Sequence, residues 1–227
     1  ISLARLAVYD GLAWAALVTA FWAITELGRR DIRGWLVVAA AGYAIATVAK
    51  YPIGAMVVPL LAVLAVIRQE RAALDAGGFG FVSAGLGLTV YLPLREQLAQ
   101  FFGWRLSNTP GFGVTIQMIA FAILYQSAAP LALAIGGWAG AKNRRLLASV
   151  LLASLGIWPA YHLLRADPTG TNKHLAFGFL FAYPLIGVAL SALWGEVNSR
   201  RRILRRCGVI AIAVALLGLV AVRAKIK

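Results

Sequence analysis

Residues 35–67 read WLVVAAAGYAIATVAKYPIGAMVVPLLAVLAVI, two apolar runs separated by the single charged residue Lys50. As one continuous helix, this stretch would hold the lysine deep in a bilayer, at a cost of about 2.5–3.5 kcal/mol. Pro52 favours a different arrangement, because proline lacks a backbone N–H and disfavours helical angles at the preceding residue, Tyr51. The pattern therefore predicts two shorter helices that meet at Lys50. A cation held where the membrane meets a cavity suits an anionic partner, such as a lipid phosphate.

The composition of the 227 residues places the chain in a membrane. Hydrophobic residues make up 61% and charged residues 13%, whereas about a quarter of the residues in soluble domains are charged. Several apolar runs reach the roughly 20 residues needed to cross a bilayer core. The composition predicts an all-α, polytopic integral membrane protein in which residues 1–227 form one transmembrane domain. Because the chain opens on Ile1 rather than methionine, we expect it to be a fragment of a longer protein.

The apolar runs predict about eight transmembrane helices. Residues 95–112 are predicted to form a long amphiphilic loop, and Pro130 is expected to bend the fifth helix. The predicted spans are residues 6–27, 35–49, 53–67, 79–94, 114–140, 146–164, 174–194 and 207–222.

The net charge of +14 lies mostly in short loops between apolar runs, which argues against a nucleic-acid partner. Loops at 29–33, 68–71, 142–145 and 200–206 hold most of the lysines and arginines, so the positive-inside rule places these loops in the cytoplasm. The loops at Lys50, 95–112 and 165–173 then share the outer face of the cell inner (plasma) membrane. The loops alternate between the two faces in this way only if residues 35–67 form two spans that meet at Lys50.

Ionisable residues on the predicted outer face include more cations than acids, a balance that suits an anionic ligand. One cysteine, Cys207, excludes an intramolecular disulfide and a cysteine-based metal cage. We expect no metal ligands and no cofactor, although a divalent metal is left open. The outer-face set is Asp10, Lys50, Arg105, His162, Arg165, Asp167, Lys173 and His174.

Three segments of the chain resemble motifs of one enzyme family, in the right order and at similar spacing. The segments are GYAIATVAKYP (42–52) with VPLL (58–61), RLAVYDGL (5–12) and KHLAFGFLFAYPL (173–185). They are similar to the motifs of GT-C glycosyltransferases that use polyprenyl-phosphate sugars, the protein O-mannosyltransferase-like and aminoarabinose-transferase-like enzymes. The resemblance covers most of the 227 residues.

The resemblance implies an inverting membrane glycosyltransferase that moves a sugar from a polyprenyl-phosphate carrier to a lipid, glycan or protein acceptor on the outer face. By position, Lys50 would contact the carrier phosphate, and Lys173 or His174 would help to neutralise it. Arg105 is added as a candidate phosphate ligand from the outer-face set. Asp10 matches an acidic residue that shapes the family's site, and it is the candidate catalytic residue.

The family's proposed general base lies in its first outer loop, and we expect that loop to precede Ile1. Two other functions fit the same residues. A transporter or flippase for an anionic lipid-linked substrate would also use a broken helix and cations facing a cavity. A non-catalytic membrane subunit would leave Lys50 without a role.

Overall fold

The computed structural model describes residues 2–106, 112–166 and 171–195, and this part of the chain is helical with short turns. The all-α, polytopic membrane fold predicted from the sequence is confirmed. The predicted eighth span and the basic run at 200–206 lie outside the described residues. The α-helices are α1 (Ser2–Arg30), α2 (Gly34–Ala49), α3 (Val57–Arg68), α4 (Ala72–Leu106), α5 (Phe112–Ala122), α6 (Ala128–Gly140), α7 (Arg145–Ala153), α8 (Ile157–Arg165) and α9 (Thr171–Gly195).

Four helical runs among the described residues are long and apolar enough to cross a membrane. They are Asp10–Arg30, Tyr51–Pro93, Lys142–Arg165 and His174–Ala192, and three shorter apolar helices accompany them. The longest of these runs reverses direction at Gln69, whose φ of 41° breaks the helix between α3 and α4. Asp31 and Ala166 also have positive φ, and each lies in a turn between helices.

The predicted break at Lys50 is confirmed. The helix α2 ends at Ala49, and Lys50 is extended, with φ −152° and ψ 94°. A 3₁₀ helix, Tyr51–Met56, follows and leads into α3. The prediction that Tyr51 itself leaves helical angles was wrong: Pro52 lies in the first turn of the 3₁₀ helix, where its missing N–H is not needed, so the extended residue is one position earlier.

The prediction of a loop after residue 94 was wrong. Residues 95–106 are not a loop, because α4 continues through Pro93 to Leu106. A proline inside a transmembrane helix is tolerated when local adjustments satisfy the freed backbone groups. The bend expected at Pro130 stays a prediction, and a π-helical segment, Ile123–Ser127, lies directly before α6. Pro130 has no N–H to donate to the carbonyl of residue 126, which accounts for the position of this segment.

Close helix packing depends on glycine at two interfaces. A Cβ added to Gly42 on α2 would lie 2.8 Å from the backbone oxygen of Ala16 on α1. A Cβ on Gly137 in α6 would lie 1.8 Å from the backbone oxygen of Leu185 on α9. Small residues let helix backbones approach within a membrane, where van der Waals packing replaces the hydrophobic effect as the source of helix association.

The charged residues lie at the two ends of the helix bundle. At one end Asp10, at the start of the described side chains of α1, meets Lys50. At the other end Arg68, the last residue of α3, meets Asp31 in the turn after α1. We call these the Lys50 end and the Arg68 end. The Lys50 end corresponds to the loops that the lysine and arginine count predicts on the outer face. The Arg68 end corresponds to the loops that it predicts in the cytoplasm.

Candidate functional site

Lys50 and Asp10 form an ion pair in which Nζ of Lys50 donates to Oδ1 of Asp10. The lysine side chain is 15% exposed and the aspartate side chain 31% exposed, so both are partly withdrawn from the surface. The ammonium also lies over the ring of Phe177, 5.1 Å from its centroid. A cation over an aromatic face is attracted by the ring's quadrupole. Three elements thus hold Lys50: α1, its own helix break, and α9.

The helix break is held in place by a hydrogen bond that crosses it. The hydroxyl of Tyr43 on α2 donates to the backbone oxygen of Gly54, 2.8 Å away in the 3₁₀ helix. The hydroxyl of Thr47 donates to the backbone oxygen of Tyr43 at 3.0 Å. A Cβ on Gly54 would lie 3.7 Å from the Thr47 side chain, so the 3₁₀ helix packs directly on α2. These contacts hold the backbone on both sides of Lys50, and none of them involves the lysine side chain.

A pair of buried histidines lies beside this site. Nε2 of His162 on α8 is 2.9 Å from Nδ1 of His174 on α9, and the two residues are 1% and 5% exposed. At this distance one ring N–H donates and the other ring nitrogen accepts. The ring of Trp158 stacks on His174, with centroids 4.6 Å apart, and lies 6.3 Å from the ring of Phe177. A continuous set of rings therefore connects the histidine pair to the residue beneath Lys50.

Trp158 is fully buried, and its indole Nε1 has no hydrogen-bond partner among the described residues. Leaving a buried donor unsatisfied costs about 1–3 kcal/mol. Gly178 on α9 makes room for the indole, since a Cβ there would lie 3.1 Å from Cδ1 of Trp158. The buried polar groups at the Lys50 end thus include a donor that has no acceptor among the described residues.

The other predicted site residues fall into two groups. The guanidinium of Arg165 lies 5.9 Å from the ring centroid of Tyr161, at the same end of α8 as the histidine pair. Arg105 is in the last turn of α4 and Lys173 in the first turn of α9, and their side chains lie outside the described part of the structure. Asp167 also lies outside the described residues. The described residues include no group of three or more potential metal-ligating side chains.

Trp158 and Phe177 were not predicted as parts of the site, although their spacing in the sequence contained a signal. Trp158 and His162 are four residues apart on α8, and His174 and Phe177 are three apart on α9. Residues at these spacings share one helix face. Two aromatic–histidine pairs flanking one short loop predict facing surfaces, and the structure stacks them.

At the Arg68 end, a second ionic cluster is balanced in charge. Arg68, whose side chain is 8% exposed, donates to Asp75 at 2.6 Å and to Asp31 at 2.5 Å. Arg71 also pairs with Asp31, at 2.8 Å. The hydrogen bond from Arg68, reinforced by the charges of both arginines, lowers the pKa of Asp31. Because each cation has its carboxylate, the cluster joins α3 and α4 to the turn after α1 rather than attracting an anion.

The fold and the site define a polytopic helical membrane protein with a partly buried Lys–Asp site at one end of the bundle. Comparison with protein-family models, curated proteins and solved structures gives no match for this chain.

Proposed function

We propose that this chain is a membrane glycosyltransferase, which takes a sugar from a polyprenyl-phosphate carrier at the Lys50 end. The observation that carries the proposal is the position of Lys50: an ammonium at a helix break, over an aromatic ring and beside one carboxylate. The similarity of the segments around Lys50, Asp10 and His174 to GT-C motifs supports the same reading. The proposed acceptor is a lipid, glycan or protein, and the active face is the outer face of the plasma membrane.

Lys50 has the chemistry needed to hold a phosphate. An ammonium has three N–H donors, and among the described residues Asp10 takes one of them, which leaves two for an anion. With only 15% of the side chain exposed, its charge is screened less than that of a surface lysine. A hydrogen bond between charged groups contributes about 1.5–3 kcal/mol. Arg165, whose guanidinium lies 5.9 Å from the ring centroid of Tyr161, adds positive charge at the same end of the bundle.

In the proposed reaction, an acceptor oxygen attacks the anomeric carbon of the sugar while the bond from that carbon to the carrier phosphate oxygen breaks. The carrier phosphate leaves with the bonding electron pair, and Lys50 stabilises its negative charge. The acceptor's proton passes to a general base. Asp10 orients Lys50 and is itself a carboxylate beside the reacting atoms. His174 is buried against His162 and Trp158, so its role is to position α9 and Phe177 beneath Lys50.

The test uses the full chain in proteoliposomes supplied with radiolabelled polyprenyl-phosphate sugars and lipid or peptide acceptors. Transfer of label to an acceptor, lost in Lys50→Met and retained in Arg33→Met, is the expected result. Arg33 is a suitable control because it is an exposed cation at the opposite end of the bundle and lines no part of the Lys50 site. Movement of the labelled carrier between leaflets without transfer would mean that the chain is a transporter and not a glycosyltransferase. If the label is neither transferred to an acceptor nor moved between leaflets, both functions are overturned and a scaffold subunit remains.

A further inference from the structure

A cavity of about 540 Å³ opens at the Arg68 end, away from the Lys50 site. One wall is α7 and the other is α9, and the side chains along both walls are apolar. They are Leu147, Ala148 and Leu151 on α7, and Pro184, Leu185 and Val188 on α9. In a bilayer, a groove of this kind between two helices is filled by hydrocarbon chains.

The mouth of this cavity is basic. Lys142 and Arg144 line it from the 3₁₀ turn between α6 and α7, and both are exposed. Among the described residues, neither of them pairs with a carboxylate. Two other arginines at this end are already engaged: Arg29 pairs with Glu26 at 2.6 Å, and Arg145 lies 4.5 Å from the ring centroid of Trp138. Within the part of the chain that the structure describes, the positive charge at this cavity mouth is therefore uncompensated.

We propose that the cavity binds one anionic phospholipid, with an acyl chain between α7 and α9 and the phosphate at Lys142 and Arg144. The apolar walls give no preference among phospholipids, because the acyl chains of all of them are equally apolar. Selectivity comes from the two cations, which complement an anionic headgroup at the membrane surface. Basic pockets between transmembrane helices recognise such headgroups, and each charge contributes about fivefold in affinity. The proposal does not depend on the glycosyltransferase function, since the cavity is at the other end of the bundle.

The experiment compares phosphatidylglycerol with phosphatidylcholine of identical acyl chains. The full chain, purified in neutral detergent, is titrated with each lipid, and bound lipid is counted by native mass spectrometry. We expect one phosphatidylglycerol to be retained preferentially. The preference should fall about fivefold in Lys142→Gln and in Arg144→Gln. Arg33→Gln is the matched control, because Arg33 is an exposed arginine at the same end that does not line the cavity.

A second pair of variants tests the apolar part of the site. Val188→Trp fills the groove and should reduce retention of both lipids, whereas Val37→Trp, an exposed position on α2, should not. Soluble glycerol phosphate should compete weakly, because it lacks the acyl chain.

Three results would overturn the proposal. The first is an equal loss of preference in Arg33→Gln, which would mean diffuse charge attraction. The second is unchanged retention in Val188→Trp. The third is competition by glycerol phosphate as effective as that by the lipid, which would mean a plain phosphate site.

Discussion

Asp10 and Lys50 are 40 positions apart in the sequence, yet they form an ion pair where α1 meets the break after α2. From the sequence, both residues were predicted to be parts of an anion site. A lysine and an aspartate in contact can also be a structural pair that joins two helices. The side chains of Lys50 and Asp10 are 15% and 31% exposed, so part of each lies at the surface. The two roles make different predictions for the same variants.

The first prediction separates binding from stability at this pair. In Lys50→Met, binding of a polyprenyl-phosphate analogue should weaken about tenfold to a hundredfold, because the phosphate loses a charged donor. Asp10→Asn should weaken binding far less, since it leaves the ammonium in place. Lys50→Arg should restore part of the binding, as the charge is kept on a group of different shape. Isothermal titration in detergent measures each constant.

A double-mutant cycle on the same two residues gives the structural contribution of the pair. For a partly exposed ion pair, the coupling in the free energy of unfolding should be about 1 kcal/mol or less. Normal analogue binding in Lys50→Met, together with a coupling several times larger, would make the pair purely structural.

The second prediction concerns the α6–α9 interface. Gly137→Ala should destabilise the protein by about 1–3 kcal/mol, because the new Cβ would overlap the backbone oxygen of Leu185 at 1.8 Å. Gly136→Ala is the matched control, since its Cβ would be 3.9 Å from Ala189, an ordinary contact. Thermal unfolding in detergent compares the two. Equal melting temperatures for both variants would show that α6 and α9 are not packed this closely.

The third prediction follows from the lowered pKa of Asp31. In the unfolded chain this carboxylate binds a proton near its ordinary pKa of 3.8, whereas in the folded protein it stays ionised to lower pH. Its contribution to stability is therefore full above pH 3.8, and it is lost as the pH falls through the lowered folded value. At neutral pH the melting temperature of Asp31→Asn should be lower than that of the wild type, because the stabilising carboxylate is missing. The difference between the two melting temperatures should shrink on acidification.

Glu70→Gln is the control for this measurement. Glu70 is exposed in the adjacent 3₁₀ turn and has no ion pair among the described residues. Its substitution should leave the acid dependence of the melting temperature unchanged. A pH profile shared by Asp31→Asn and the wild type would rule out a pair between Asp31 and the arginines in solution.

The fourth prediction is the orientation of the bundle. With Cys207 replaced by serine, a cysteine at Gly113 should react with a membrane-impermeant maleimide added outside the cell. A cysteine at Asn143 should react only after the membrane is permeabilised. Both positions are exposed, so accessibility of the side chain is matched. The reverse labelling would invert the topology and move the Lys50 site to the cytoplasmic face.

Two helices contain prolines at positions where the sequence predicted an interruption. The fourth span was predicted to end at residue 94, before an amphiphilic loop, but α4 passes through Pro93 and continues to Leu106. The bend expected at Pro130 stays a prediction, and a π-helical segment lies directly before α6. Proline marks where a backbone hydrogen bond is lost. Neighbouring backbone decides how the helix accommodates that loss, and a sequence pattern does not contain this information.

The helical membrane fold and the break at Lys50 followed from the sequence because both depend on local properties. Run length and apolarity set which segments cross a bilayer, and Pro52 acts on its immediate neighbours. Which side chains meet was decided by tertiary structure. Asp10 reaches Lys50, and His162 reaches His174, only because α1, α8 and α9 pack around the break, and that packing depends on backbone approach at glycines far away in the sequence. Contacts of this kind depend on how surfaces fit, and so they appear only in the folded molecule.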